Sequence, residues 1–195
     1  MRINIPWNRY ALIVELADRL KDRCPQFGKT ALQKMVYLLQ EAYGVDCGYR
    51  FDLYTYGPFS SELLQDLDLV EGMEGVNVVP VISRIGGYQI VLGARSQILK
   101  KKAEDFLGSE EVSNALDKLA DEFGGYWAKD LELRSTILYV AKDLMRSCGS
   151  VSQTDLARIV KEIKPKFPDA EVQQAINEMV EKGYIRRRQT NRSCH

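Results

Sequence analysis

Read against itself at an offset of 124 residues, the chain repeats. Leu16-Ala17 aligns with Val140-Ala141, Leu20 with Leu144 and Cys24 with Cys148; without a gap, Thr30 then meets Thr154, Leu32 Leu156, Val36 Val160 and Leu39 Ile163. A second ungapped match, at offset 109, sets Glu62-Leu63 on Glu171-Val172, Gln65 on Gln174 and Val70 on Met179. The offsets differ by 15, which places an insertion at roughly Gln40 to Tyr56 of the first copy. Repetition constrains the fold more than any motif, because each copy must form the same supersecondary unit. Helical periodicity alone can align amphipathic helix pairs, but Cys24/Cys148 and Thr30/Thr154 lie off the apolar stripe.

Each copy reads helix, turn, helix, connection, helix. In the first, Leu12, Ile13, Leu16 and Leu20 share one face of a helix over Asn8 to Arg23. A second helix is expected from Thr30 to Tyr43, ended by Gly44. Tyr49 to Tyr56 alternates as a single strand, and Gly57-Pro58 is expected to open the third helix. Val76–Ile85 and Tyr88–Leu92 then flank Gly86-Gly87, a two-residue hairpin signal. Three helices followed by a hairpin is the winged-helix order, with the hairpin as wing. Residues 96–129 add two helices as a connector packed on the domain, where Lys100-Lys101-Lys102 reads as a solvated face. The second copy opens at Leu131, with Leu133, Ile137, Leu138, Ala141, Leu144 and Met145 expected inside. Ser152-Gln153-Thr154-Asp155 is a capping box for its next helix, and Pro168-Asp169 starts the last one. Gly183-Tyr184-Ile185 is the usual exit of such a helix into a strand, but Arg186 onward offers no apolar partner, so the second wing is expected to be rudimentary or absent. The expected fold is therefore mainly α with a small β-hairpin. Its domains are a winged-helix-like unit over 1–95, a helical connector over 96–129 and a second such unit with a basic tail over 130–195.

Composition removes several classes of function. Hydrophobic residues make 45% and charged residues 28% of the chain, ordinary for a globular protein. No run is long and apolar enough to span a membrane, and the start lacks a signal-peptide core, so a cytoplasmic protein with no membrane role is expected. Cysteines 24, 47, 148 and 194 form no C-x-x-C pair, which argues against a zinc ribbon or a disulfide framework. His195 is the only histidine, so serine- and cysteine-based triads and histidine metal sites lack a residue. No enzyme activity, metal or other cofactor is expected.

Charge argues against a DNA-reading third helix. Glu62, Asp66, Asp68, Glu71 and Glu74 stand between Pro58 and Glu74 without one Lys or Arg. In the second copy Asp169, Glu171, Glu178 and Glu181 face only Lys182. A recognition helix gains affinity by placing cations against phosphates, and both of these carry the opposite sign. Basic candidates for backbone contacts remain: Arg158 and Lys161 in the second helix of the second copy, and Arg186, Arg187 and Arg188 in the tail. They keep open the alternative of a DNA-binding winged-helix transcriptional regulator.

Aromatic residues cluster once, with Tyr49, Phe51, Tyr54, Tyr56 and Phe59 inside eleven positions. Alternation puts Tyr54 and Tyr56 opposite Phe51 and Leu53, so one set packs inward and the other either wedges against the third helix or offers contact area to a partner. The segment Leu32-Gln33-Lys34-Met35-Val36-Tyr37, with Tyr54-Thr55-Tyr56-Gly57-Pro58-Phe59-Ser60-Ser61-Glu62-Leu63, resembles the YwgA-like proteins and, more distantly, the SocA/Panacea antitoxin domain. The similarity covers about residues 28–92. It implies a compact helical domain without known catalysis, which in the antitoxin branch binds a protein toxin or presents it to a protease. The motif positions of that resemblance are Gln33, Lys34, Tyr37, Tyr56, Gly57, Pro58 and Phe59, and the turn alone is reason enough for Gly57 and Pro58. The expected function is a non-enzymatic protein-binding module, an antitoxin or adaptor, binding its partner through Tyr54, Tyr56, Phe59, Glu62 and Asp66. Pairing into a homodimer is compatible with the exposed aromatics.

Overall fold

The computed structural model describes residues 5–82 and 86–185. These divide into two compact units, with the boundary between Leu131 and Glu132. Among the described residues the fold is mainly helical with two small antiparallel hairpins.

In the first unit α1 (Trp7–Leu20) is the central helix. It is buried on every side from Tyr10 to Ala17, because α3 (Ser61–Gly72), α4 (Ser96–Lys101), α5 (Glu104–Leu107) and α6 (Glu110–Phe123) all pack on it. This explains the unbroken run Ala11–Val14, which a half-exposed helix would have interrupted with polar residues. α2 (Lys29–Tyr43) is buried from Ala31 to Leu39 and lies against α6, with Gly44 at φ +77 closing it through a bond from its N–H to Leu39 O. The stretch 96–129, read from the sequence as a two-helix connector, holds the three helices α4, α5 and α6 and the start of a fourth, all within this unit. Charges fasten them: Lys100 Nζ lies 2.6 Å from Glu15 and 2.9 Å from Asp18, and Arg19 pairs with both Glu15 and Asp117.

Two expectations about strands are corrected. Tyr49–Tyr56 is not one strand: β1 (Asp52–Tyr54) turns at Thr55-Tyr56 into β2 (Gly57–Phe59), with Tyr54 opposite Gly57 and Asp52 opposite Phe59. Gly57-Pro58 therefore does not open a helix. Gly57 sits at φ +89, which helical geometry forbids, and α3 starts four residues after it at Ser61. The second hairpin, β3 (Val76–Pro80) with β4 (Tyr88–Leu92), does not turn at Gly86-Gly87. Its register pairs Pro80 with Tyr88, and Val81 N–H bonds to Gly87 O, so both glycines lie on the returning arm.

In the second unit α7 (Ala128–Cys148), which begins just before the unit boundary, is followed by α8 (Gln153–Ile163) and α9 (Asp169–Glu181). Ser152 caps α8 by accepting from Asp155 N–H, as the capping box implies. α8 packs on α9, and Leu156 and Val160 of α8, Val172, Ala175, Ile176 and Met179 of α9, and Phe167 in the link between the two helices are all buried. Met145, expected inside, is 38% exposed, and Leu144 is only half-buried: α7 outruns the apolar face available to its last turns. No strand follows α9 among the described residues.

A buried ion pair closes this unit. Glu132 and Lys164 are 4% and 3% exposed in their side chains and bond at 2.7 Å, with Lys166 on the second carboxylate oxygen at 2.9 Å. Removing one partner strands the other charge away from water. Glu132→Ala is accordingly expected to destabilise the second unit by about 3 kcal/mol, read as a lowered urea midpoint. A pH dependence comes from the first unit. The hydrogen bond from Lys100 holds the Asp18 carboxylate below its ordinary 3.8, against the opposing effect of burial. Because the folded value is the lower one, this stabilisation is complete above pH 3.8 and is lost as the pH falls through the folded value. Lys100→Gln is expected to flatten the acid-side fall of the urea midpoint as the pH drops below 3.8.

Candidate binding site

The start of α2 meets the inserted hairpin at a cavity of about 300 Å³. Close backbone approach sets this helix end in place. A Cβ on Gly28 would lie 2.3 Å from Tyr88 O, so only glycine lets the chain pass β4 before turning into α2. Beside it, Ile90 N–H of β4 bonds to Phe27 O at 2.8 Å. α2 then begins with Gly28 at its N-cap, no side-chain cap and no acidic residue in its first turn.

The opposite wall is the hairpin, held by two polar side chains of α2. Gln33 is 2% exposed and bonds Ser60 twice: its Nε2 donates to Ser60 O and its Oε1 accepts from Ser60 N–H, each at 2.8 Å. Lys34, also 2% exposed, donates from Nζ to Pro58 O at 2.7 Å. Tyr37, one turn on, packs edge-on against Phe51 with ring centroids 5.2 Å apart. These contacts leave the hairpin tip standing out from α2. Tyr54 and Tyr56 are 60% and 63% exposed, and the Tyr54 ring leans on Phe59 across the strands at 5.2 Å.

Of the residues expected at a site, the structure brings Gln33, Lys34, Tyr54, Tyr56, Gly57 and Phe59 together as walls of one cavity. Tyr37 and Pro58 do not line it. Glu62 is exposed in the first turn of α3, outside the lining. Asp66 is a correction: it is 5% exposed, so it is not a surface contact. Its Oδ2 accepts from Arg9 Nε at 2.6 Å and from the Tyr49 hydroxyl at 2.8 Å, while the Arg9 guanidinium lies 4.2 Å from the centre of the Tyr49 ring. Burial, reinforced by the Asp66 charge, pushes the Tyr49 hydroxyl far above its ordinary 10, so it stays a donor. The signal was present in the spacing: Asp66 stands three residues after Leu63 and four before Val70, on the buried stripe.

Sequence reasoning missed Lys29, Thr30, Thr55 and Leu64, which complete the lining. The uncapped helix start with Lys29 as its first residue was the available sign. The candidate nucleic-acid residues of the second unit already have partners. Arg158 pairs with Glu162 at 2.9 Å, and Lys161 donates to Phe167 O at 2.6 Å and lies 3.0 Å from Asp169. Arg186, Arg187 and Arg188 lie outside the described residues. Among the described residues no three His, Cys, Asp or Glu side chains gather as metal ligands, and no helix is long and apolar enough to cross a membrane. Burial pushes the Cys47 thiol up to about 12, which leaves it protonated and poorly nucleophilic at neutral pH.

Compared with known proteins, the chain matches no family model and no curated sequence.

Asp66→Ala would leave Arg9 and the buried Tyr49 hydroxyl without their shared acceptor. It is expected to lower the stability of the first unit by about 2–3 kcal/mol in urea unfolding, where substitution of an exposed surface acid changes little.

Proposed function

We propose that the chain is a non-enzymatic protein-binding module, an antitoxin or adaptor, that holds its partner at the aromatic lip of the α2–hairpin cavity. The observation that carries this reading is the pair Tyr54 and Tyr56, exposed at the rim of an apolar cavity on a hairpin fixed by buried hydrogen bonds. Exposed tyrosines on a rigid support give large contact area at small entropic cost, and they recur among residues that dominate binding energy. The resemblance to YwgA-like and SocA-type proteins adds support, since Gln33, Lys34, Tyr56, Gly57 and Phe59 among its motif positions all line this cavity. Burial of Asp66 moves the proposed contact from the acidic face of α3 to the hairpin, with Glu62 at the margin.

In the same reading each unit is winged-helix-like. The order α1, α2, α3 with hairpin β3–β4, and the order α7, α8, α9, support it. Use of these units to bind DNA has less support. Glu62, Asp68 and Glu74 remain exposed on and beside α3, while Arg158 and Lys161 are committed to neighbouring acids and carbonyls.

The test is capture of partners from host lysate, with and without nuclease treatment, by the full chain and by its Tyr54→Ser/Tyr56→Ser variant. The variant is expected to retain its unfolding stability in urea within about 0.5 kcal/mol, since both rings are exposed, and to lose at least about tenfold of a stoichiometric partner. Equal capture by both proteins, or capture of DNA alone, overturns the reading.

A further inference from the structure

We propose that this cavity receives the C-terminal end of a partner polypeptide, its last apolar side chain inside and its terminal carboxylate against the first turns of α2. The inference rests on the protein-binding reading and names what is bound.

Size comes first. A volume of about 300 Å³ lies at the lower end of ligand pockets, enough for one or two residues. A helix laid in a groove needs a row of anchors several turns long, which this cavity does not provide. The walls set the chemistry. Phe59, Leu64 and the two tyrosine rings give an apolar interior, whereas the charged side chains of the lining are Lys29 and Lys34, with no Asp or Glu. Lys29 is half-buried with its ammonium 5.3 Å from the centre of the Tyr88 ring, and Lys34 is buried and anchored on Pro58 O. Positive charge in a partly dry wall draws an anion, and the uncapped first turn of α2 adds its dipole in the same sense.

An anionic group and an apolar group must therefore fit together in a space one or two residues wide. A chain end carries both on one Cα. An internal aspartate or glutamate would need the polypeptide to enter and leave past Tyr54 and Tyr56. At a chain end only one strand crosses the lip, where the two rings can flank the preceding residue.

The probes are N-acetyl-glycyl-phenylalanine as free acid, the same dipeptide as its C-terminal amide, and an amidated peptide with an internal aspartate. Each is titrated into the ¹⁵N-labelled full chain. The free acid is expected to bind in about the millimolar range and to shift the amide signals of Lys29, Thr30 and Gln33. The other two probes should bind at least about tenfold more weakly, as the charge-assisted bonds are lost. Lys29→Glu should weaken the free acid by a similar factor while leaving the amide unchanged. Equal binding of acid and amide, preference for the internal aspartate, or no binding of the acid overturns the assignment. If the acid fails while Tyr54→Ser/Tyr56→Ser still loses its protein partner, the chain-end assignment falls and the protein-binding reading stands. If the acid binds while the double variant keeps its partner, the cavity assignment stands and the partner docks elsewhere.

Discussion

Two polar side chains buried in the middle of α2 hold the rest of the site in place. Gln33 and Lys34 lie on a helix otherwise buried through Ala31–Leu39, and a polar group there is costly unless it finds a partner. Both find it in the backbone of Pro58 and Ser60. That pairing satisfies the side chains and fixes the end of the inserted hairpin with bonds that water cannot easily replace. Tyr54 and Tyr56 are exposed because the hairpin is tied down at its base and turns in only two residues at its tip.

The same logic recurs wherever charge enters the interior. Asp66 is matched by Arg9 and Tyr49 in the first unit, and Glu132 by Lys164 and Lys166 in the second. Each cluster joins segments far apart in sequence, so each contributes to a unique arrangement of helices as well as to stability. Each also removes charge from the surface. Of the five acids between Pro58 and Glu74, Asp66 serves the core, and Glu71 accepts from the Val78 N–H of β3. The outward face of α3 is acidic, but less so than its sequence implies.

Repetition and insertion divide the work between them. The repeated helices supply apolar faces and a scaffold; the residues inserted between the second and third helices of the first copy supply the hairpin and its rings. At the matching place the second copy has only the short link from Lys164 to Pro168, where the buried Phe167 ring and the Lys164–Glu132 pair serve packing. A function located at the hairpin therefore belongs to the first unit.

Helix positions were legible in the residues: periodic apolar faces, the left-handed Gly44 and the Ser152 cap all act over one or two turns. The aromatic segment was legible as a place for contacts between surfaces only in outline, since alternation predicts which residues share a face and says nothing of what lies opposite. One strand became a hairpin because Gly57 takes a left-handed conformation, and the two-glycine turn failed because the register of β3 and β4 is set by pairing along the whole hairpin. Asp66 read as surface, and Gln33 and Lys34 as motif residues of unknown role, because their partners lie 17 to 57 residues away in the chain. By itself the sequence determined the helices, which are products of local periodicity. The tertiary structure decided which polar groups are internal and where the cavity opens, because desolvation and long-range hydrogen bonding depend on neighbours that only folding brings together.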